Sequence, residues 1–327
     1  MSHLLEVKDL VTVFKSHLKQ VQAVSNASFT LHKNQTLGIV GESGSGKSAM
    51  VKSLLGLLPL KTARIKKGNV FYKGEDLLTK SEKAMRKIRG RKIGMIFQNP
   101  MSCLNPTMKV GDQIIEGYRL HNASSPKKEA YKKAISYLEQ FGIKEPELCL
   151  KQYPHELSGG MCQRMMIASS IMISPDILIA DEPTTALDVT IQIEILRLLK
   201  RVQYEKGMGI ILISHDLSVI ANFCSHVLVM YAGEIVESGP VQTIFVDPKH
   251  PYTRSLLNSI PSLDQADRKL LGCIPGYPPD LSINTLGCPF ATRCPSHFNA
   301  CDTVTPKLIK ISEKQNVKCL LYNPTTN

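Results

Sequence analysis

The sequence predicts an α/β fold with a mostly parallel sheet, because short apolar runs alternate with segments of helical periodicity. The apolar runs are short and rich in β-branched residues, which is typical of strands buried on both faces. They lie at residues 36–40, 93–98, 177–180 and 210–213. The helical patterns lie at residues 47–58, 127–141 and 191–206.

Length and composition are those of a globular protein with room for one large domain and an appendage. The chain has 327 residues, of which 43% are hydrophobic and 21% charged. Acidic residues interrupt the short apolar stretch at the start, so it does not predict a secretory signal. We also find no apolar run of the roughly 20 residues that a membrane-spanning helix needs.

The formal net charge is +12, which permits binding to nucleic acid, anionic lipid or a nucleotide. A soluble surface with extra lysines explains the same charge without any such ligand. The basic stretch at residues 80–92 has partly helical spacing and is interpreted as a solvated face. Charge alone therefore does not select a partner.

A change of composition after His250 predicts a boundary between two regions. Residues 275–295 are dense in Pro and Gly, so they form neither a long helix nor an inner strand. We expect a main domain over residues 1–250 and a small appended domain over residues 251–327.

A glycine-rich segment between a predicted strand and a predicted helix matches the phosphate-loop pattern G-x-x-x-x-G-K-[ST] at every fixed position. Its residues are Gly41, Glu42, Ser43, Gly44, Ser45, Gly46, Lys47 and Ser48. The glycines let backbone N–H groups turn toward phosphates, and the N-terminus of the following helix favours anions. We expect Lys47 to contact the β- and γ-phosphates of ATP and the Ser48 hydroxyl to bind Mg²⁺.

Two carboxylates follow the predicted strand at residues 177–180. We expect Asp181 to hold Mg²⁺, directly or through another ligand, and Glu182 to polarise a water for attack on the γ-phosphate. Acidic pairs after strands are common, so this pair gains its meaning only in combination with the phosphate loop.

A further anion-binding pattern, Ser158-Gly159-Gly160, immediately precedes a predicted helix. Together with Leu157 and Met161 it resembles the signature motif of the ATP-binding-cassette (ABC) proteins. Met161 departs from the commonest residue, Gln, at a position that the family tolerates. The resemblance implies that Ser158 and the glycines bind the γ-phosphate of an ATP held by an opposite subunit.

Other positions resemble the remaining ABC motifs and follow in the family order. Gln98 resembles the Q-loop glutamine that contacts Mg²⁺ and the attacking water, and His215 resembles the switch histidine at the γ-phosphate. The resemblance therefore implies catalytic roles for Glu182, Gln98 and His215. Taken singly, Gln98 is better explained as a surface amide and His215 as a structural histidine. The occurrence of all these motifs in the family order removes that explanation.

Two more residues complete the expected ATP site. Residues 185–188 resemble the D-loop, with Thr185 where Ser is usual, and the resemblance implies that Asp188 contacts ATP across the dimer. Phe14 follows the first apolar segment and is a candidate for stacking on adenine, although a place in the core explains this aromatic residue equally well.

Longer phrases, which begin at Gln98, Tyr153, Asp181 and His250, resemble the ATP-binding subunits of bacterial dipeptide, oligopeptide and nickel importers. This resemblance implies a phosphate-loop NTPase cassette with an antiparallel β subdomain and a helical subdomain inserted at about residues 100–170. It also extends over the C-terminal region, where it implies a small Cys-rich domain.

The same resemblance implies an ATPase that energises import of di- and oligopeptides, with nickel import as the alternative. Its expected partners are a second, non-identical ATPase subunit, two transmembrane permeases and an extracytoplasmic solute-binding protein. Its expected location is the cytoplasmic face of the inner membrane, as a peripheral subunit, with no nucleic acid bound.

Two readings from other classes stay open at the level of the sequence. A soluble ABC ATPase that acts on nucleic acid or the ribosome is suggested by the net charge of +12. Such proteins usually carry two cassettes or a long coiled-coil insertion, and this sequence has neither. A nucleotide-binding regulator without turnover is disfavoured, because every catalytic position is present.

Five of the nine cysteines lie from Cys273 onward, which a chain without a secretory signal does not use for disulfides. Cys288, Cys294, Cys301 and Cys319 have the spacing C-x5-C-x6-C-x17-C, which differs from the short pairs of zinc ribbons. Four thiolates are the ligand set of a [4Fe–4S] cluster, and the family resemblance points the same way. Zinc and free buried thiols remain alternatives, with Cys273 as a substitute fourth ligand.

Overall fold

The computed structural model describes residues 3–15, 19–184, 188–259, 274–282 and 286–323. Cys273 and the D-loop residues 185–187 lie outside these ranges. Contacts divide the chain into two compact units, namely Met1–Thr79 with Ile213–Asn327 (unit 1), and Lys80–Leu212 (unit 2). These units do not divide at residue 250, where we expect the boundary between the main domain and the appended domain. That boundary stays a prediction.

Strands and helices alternate along the described residues, which confirms the predicted α/β class. The strands are β1 (Leu5–Lys15), β2 (Gln20–Leu31), β3 (Thr36–Val40), β4 (Ala63–Tyr72), β5 (Glu75–Asp76), β6 (Ile93–Ile96), β7 (Ile177–Asp181), β8 (Gly209–Ile213), β9 (His226–Tyr231), β10 (Glu234–Pro240), β11 (Ile309–Lys310) and β12 (Asn316–Val317). The α-helices are α1 (Lys47–Leu54), α2 (Glu82–Ile88), α3 (Pro100–Cys103), α4 (Val110–His121), α5 (Lys127–Gln140), α6 (Pro146–Cys149), α7 (Gly159–Met172), α8 (Val189–Lys206), α9 (Leu217–Phe223), α10 (Val241–Val246), α11 (Pro251–Asn258) and α12 (Ala300–Thr303). Short 3-10 helices lie at Pro154–Glu156, Ala291–Arg293 and Leu320–Tyr322.

Unit 1 contains an antiparallel sheet with the strand order β2-β1-β4-β5. The long strands β1 and β2 pair from Leu5 opposite Leu31 to Lys15 opposite Gln20, with register shifts between them. Strand β1 buries Leu5, Val7 and most of its central residues. This sheet is the antiparallel β subdomain that the family resemblance implies.

A second set of strands in unit 1 carries the predicted nucleotide loop. Strand β3 is buried along its whole length and pairs in parallel with β9, so that Leu37 faces His226. Strands β10 and β12 continue from β9 in antiparallel order, and β11 lies at the edge. The C-terminal strands therefore extend the same group of strands that holds β3.

Unit 2 contains parallel strands that are buried among apolar residues. Strands β6 and β7 pair in parallel, with Ile93 opposite Ile177, and β8 lies on the other side of β7. Every residue of β7 is buried, including Asp181 at its end. The carboxyl end of this strand consequently carries the acidic pair that the sequence singled out.

The helices of unit 2 include a packed group formed by α4, α5 and α7. Helix α5 buries Ala130, Ala134, Tyr137 and Leu138, which fall on one face at helical spacing. The Ser158 hydroxyl accepts the backbone N–H of Met161 at the start of α7. This group is the inserted helical subdomain.

Two helix boundaries differ from the sequence prediction for local reasons. Helix α1 ends at Leu54, four residues early, because Gly56 adopts a φ of +61° just beyond it. Helix α8 begins at Val189, two residues early, because the Asp188 carboxylate accepts the N–H of Ile191 and caps it. In the described ranges, no helix combines the length and apolar character that crossing a bilayer requires.

Candidate functional site

The predicted phosphate loop joins β3 to α1, as its chemistry requires. Lys47 is the first residue of α1, and its side chain is buried against the loop. Its Nζ donates to the carbonyl oxygens of Gly41 at 2.7 Å and Glu42 at 2.9 Å. The lysine therefore folds back over the loop that it follows.

Two glycines of this loop adopt backbone conformations that favour glycine for different reasons. Gly46 has a φ of +100°, and a Cβ on it would lie 2.2 Å from the carbonyl oxygen of Ala23. Gly44 has a φ of +79° in open space. A side chain at Gly46 would displace backbone, whereas one at Gly44 would only strain it.

Three residues that no sequence motif marks contact the loop at Glu42 or support that contact. Tyr252 and Arg293 bond directly to Glu42 across separations of 210 and 251 residues, and Tyr231 bonds to Arg293. The only signal in the sequence was that Tyr252 falls within the phrase His250-Pro251-Tyr252-Thr253.

The remaining predicted residues of unit 1 occupy different positions. Ser48 is half-buried in the first turn of α1. Phe14 is half-buried on β1, opposite Val21 of β2 and Ala63 of β4. His215 is exposed after β8. Stacking of Phe14 on adenine and the switch role of His215 stay predictions.

In unit 2, Gln98 and Glu182 meet, although 84 residues separate them. The Gln98 Nε2 donates to the Glu182 Oε2 at 2.9 Å. Glu182 also has a φ of +50°, a left-handed conformation that costs a non-glycine residue about 1–2 kcal/mol. Such strain persists where the surrounding structure holds it, and it is common at functional residues.

The residues expected to contact ATP from a second cassette lie at two helix N-termini. Ser158 caps α7 and Asp188 caps α8, and both are exposed. Gly159 is exposed as well, and Gly160 is half-buried. Exposure of these groups is compatible with a contact to another chain, and the contact itself stays a prediction.

The four C-terminal cysteines of unit 1 line one small cavity, together with His250 and Phe290. The backbone N–H of Cys288 donates to the carbonyl of Cys301 at 2.7 Å. Burial raises the pKa of Cys288 to about 12 and that of Cys319 to about 11, and the neighbouring cysteines add to both shifts. Cys288 and Cys319 are therefore thiols at neutral pH, and a metal must displace their protons to bind.

His250 is excluded as a ligand in its present arrangement, although it lines the same cavity. Its Nδ1 accepts the backbone N–H of Tyr252 at 3.0 Å, and the ring also bonds to the backbone of Lys318. Over the residues that the structure describes, no group of three or more His, Cys, Asp or Glu side chains is arranged as a metal site. The cysteines supply a suitable set of donors, and ligation would require their side chains to converge.

Strand, loop and helix around Lys47 define a phosphate-loop nucleotide-binding protein of α/β class. A family model described as "ABC transporter" matches residues 24–185, and one described as "Oligopeptide/dipeptide transporter, C-terminal region" matches residues 236–301. The oligopeptide transport ATP-binding protein OppD of Bacillus subtilis (strain 168) is 48% identical over 99% of this chain and 90% of its own length. The dipeptide transport ATP-binding protein DppD of the same organism is 49% identical over 99% of this chain and 96% of its own. The chain therefore belongs to the ABC transporter family, among its peptide transport ATP-binding proteins.

Solved structures agree with this assignment. The cassette MJ0796, in a dimeric post-hydrolysis state bound to ADP and Pi, is 26% identical with a TM-score of 0.66. The alignment covers 72% of this chain and 98% of that cassette. The protein cbiO1 of Clostridium perfringens, part of an ABC transporter complex, is 27% identical with a TM-score of 0.63, covering 76% of this chain and 92% of that one. The predicted cassette fold is confirmed, whereas a separate Cys-rich domain stays a prediction.

Proposed function

We propose that the chain is the ATP-hydrolysing subunit of a peptide importer. As an ABC transporter ATP-binding protein it is an ATPase. What we propose in addition is that the transported substrate is a peptide. The observation that carries it is the near-complete alignment with OppD and DppD, which are named for oligopeptide and dipeptide transport. The match at residues 236–301 to the oligopeptide/dipeptide C-terminal model supports it. No observation favours the nickel alternative.

We propose that residues 41–48 bind the phosphates of ATP through their backbone N–H groups. Lys47, which now contacts the carbonyls of Gly41 and Glu42, would exchange these contacts for the β- and γ-phosphates. Ser48, at the first turn of α1, would hold Mg²⁺ with Asp181 and Gln98. The ion supplies positive charge that neutralises the phosphates.

Hydrolysis requires a base for the attacking water, and we propose Glu182 for this role. The strained backbone of Glu182 and its hydrogen bond to Gln98 support this assignment, because both restrict the position of the carboxylate. Gln98 would orient the same water, and His215 would contact the γ-phosphate.

We propose that the chain acts in a dimer of cassettes with a similar, non-identical subunit. Ser158, Gly159, Gly160 and Asp188 would contact the ATP bound by the partner, which agrees with their positions at exposed helix N-termini. Two permeases and a solute-binding protein would complete the importer, with this chain peripheral on the cytoplasmic face of the inner membrane. Residues 251–327 would form the region that is particular to this transporter group.

The test is reconstitution with peptide-importer permeases from the same organism. We expect co-purification from detergent-solubilised membranes and an ATPase rate that rises when peptide-loaded solute-binding protein is added. Lys47→Ala provides the inactive control. Stimulation by Ni²⁺ alone would assign the alternative cargo. An ATPase that ignores the permeases and responds to DNA or RNA in a salt-sensitive manner would contradict transport altogether.

We also propose that Cys288, Cys294, Cys301 and Cys319 hold a [4Fe–4S] cluster. They line one cavity, and the apolar core beside them is small, formed by Ala291, Cys301 and Leu320 with their neighbours. A bound cluster would crosslink this core, which few apolar side chains stabilise otherwise.

Metal analysis of anaerobically purified protein tests this second proposal. We expect iron and sulfide in near-equal amounts and a broad visible absorbance. Cys319→Ser should lose both, whereas Cys103→Ser, at an exposed cysteine outside the cavity, should keep them. Zinc in place of iron would identify the alternative metal, and a metal-free, fully folded protein would retire the site.

A further inference from the structure

The side chain of Glu42, the second residue of the phosphate loop, is held by an arginine from the C-terminal region. Arg293 Nη1 lies 2.7 Å from Glu42 Oε2, and Nη2 lies 2.9 Å from Oε1. Only 4% of the Arg293 side chain is exposed, against 25% of Glu42. A planar guanidinium that meets both carboxylate oxygens fixes the orientation of its partner as well as its distance.

The backbone of Glu42 is held by the same region. Its N–H donates to the Tyr252 hydroxyl at 2.9 Å. Arg293 Nη1 donates to the Tyr231 hydroxyl at 3.2 Å, and the guanidinium carbon lies 5.7 Å from the centre of the Tyr231 ring. Glu42 is therefore fixed at both its side chain and its main chain.

The groups that hold Glu42 are themselves rigidly packed. The rings of Tyr231, Tyr252 and Phe290 are mutually in contact, with centroids 4.6–5.4 Å apart. Phe290 lies three residues before Arg293, whose Nε donates to the carbonyl of Pro275 at 2.8 Å. The arginine consequently has little freedom to leave the carboxylate.

Glu42 is also joined to the lysine that we expect to bind the phosphates, because its carbonyl oxygen accepts from Lys47 Nζ at 2.9 Å. A loop that binds phosphate through its N–H groups gains affinity when those groups are already oriented before the ligand arrives. The contacts of Arg293 and Tyr252 with Glu42 would increase this preorganisation without any contact to the nucleotide.

We propose that Arg293 is a positioning residue for ATP binding, which acts through Glu42 to hold residues 41–47 in their phosphate-binding shape. The proposal rests on the proposed role of this loop in ATP binding. It assigns the C-terminal region a part in the nucleotide site of its own chain.

The test compares nucleotide affinity among variants of the full chain by calorimetric titration with Mg·ATP and with ADP. We expect Arg293→Ala to raise both dissociation constants roughly tenfold, and Arg293→Lys to give a smaller rise because it keeps charge without the fork. Arg254→Ala is the matched control, since this arginine of the same region is exposed and bonds to Pro248 and Tyr322. It should leave affinity unchanged.

Two further measurements separate positioning from general destabilisation. In the assembled transporter, Arg293→Lys should raise the KM for ATP while kcat at saturating ATP stays within twofold of the unmodified rate. Arg293→Lys combined with Glu42→Gln should weaken binding no more than the worse single variant, because both act through one contact.

The proposal is overturned if folded Arg293→Ala binds ATP with an affinity within twofold of that of the unmodified chain. If Arg293→Ala does not fold, the variants Arg293→Lys and Glu42→Gln decide. Unchanged ATP affinity in these two variants, or additive losses when they are combined, would contradict the inference. An unmodified chain that fails to bind ATP would instead contradict the proposed function, so the two failures are distinguishable.

Discussion

At the scale of single residues, Glu182 combines a strained backbone with a side chain that Gln98 holds by a hydrogen bond. A φ of +50° is unfavourable for glutamate, yet it accompanies a hydrogen bond between Gln98 and the carboxylate. The two acidic residues at the end of β7 thus lie in different environments. Asp181 is buried in the strand, whereas Glu182 is half-exposed and oriented.

Glu182→Gln keeps the size and hydrogen bonding of the side chain and removes its ability to accept a proton. We expect ATP hydrolysis to fall by about 10²–10⁴-fold while ATP binding persists, so that the ATP-bound dimer accumulates. Steady-state ATPase assays, and size-exclusion chromatography with ATP and the partner subunit, measure the two effects. Glu205→Gln, on an exposed position of α8, should match the unmodified chain, and a full ATPase rate in Glu182→Gln would remove its catalytic role.

The glycines of the phosphate loop allow a comparison of steric clash with conformational strain. Gly46→Ala places a methyl group against the carbonyl of Ala23, so we expect ATP affinity to fall at least tenfold. Gly44→Ala meets open space and pays only for its positive φ, of the order of 1 kcal/mol, so its loss should be clearly smaller. Equal losses in the two variants, measured by ATP titration, would contradict this explanation.

At the scale of elements, helix N-termini carry much of the expected chemistry, and side chains cap several of them. Ser158 and Asp188 cap α7 and α8 with short polar side chains. Helix α11 begins at Pro251 and is capped by the preceding His250, whose Nδ1 accepts the backbone N–H of Tyr252. This last cap is buried, which makes it sensitive to acid.

Burial lowers the pKa of His250 to about 3, against an ordinary value near 6.5. Between these two pH values, His250 is therefore protonated in the unfolded chain and neutral in the folded chain. The contribution to stability is complete above pH 6.5 and is lost as the pH falls toward 3, at up to about 1.4 kcal/mol per pH unit.

His250→Asn removes the titrating ring and keeps an acceptor for the Tyr252 N–H. We expect its free energy of unfolding to lose about 2 kcal/mol less than the unmodified protein between pH 6.5 and 5. Denaturant unfolding at the two pH values measures this difference. His155→Asn, at an exposed histidine, is the control, and the same pH dependence in all three proteins would contradict the assignment.

At the scale of the whole molecule, motifs that consist of neighbouring residues were predictable from the sequence. The phosphate loop after β3 and the acidic pair after β7 follow from strand–turn patterns, and the contact of Gln98 with Glu182 agrees with their expected shared site. The Arg293–Glu42 pair was not predictable, because no local pattern marks either residue as the partner of the other across 251 positions. Gly56 could have predicted the early end of α1, because glycine commonly ends helices. The apolar residues after Gly56 instead suggested that the helix continues.

The pairing of β3 with β9 also has a consequence for the protein during its synthesis on the ribosome. Ser225, which precedes β9, bonds to Thr36 of β3 across 189 residues, so β3 gains this neighbour only after most of the chain has been made. At about 5–20 residues per second, synthesis leaves β3, a strand that is fully buried in the folded protein, without this partner for roughly 10–40 seconds. During that interval the unpaired strand β3 is a segment at risk of aggregation. We therefore expect newly made chains to depend on chaperones until the second half of unit 1 emerges.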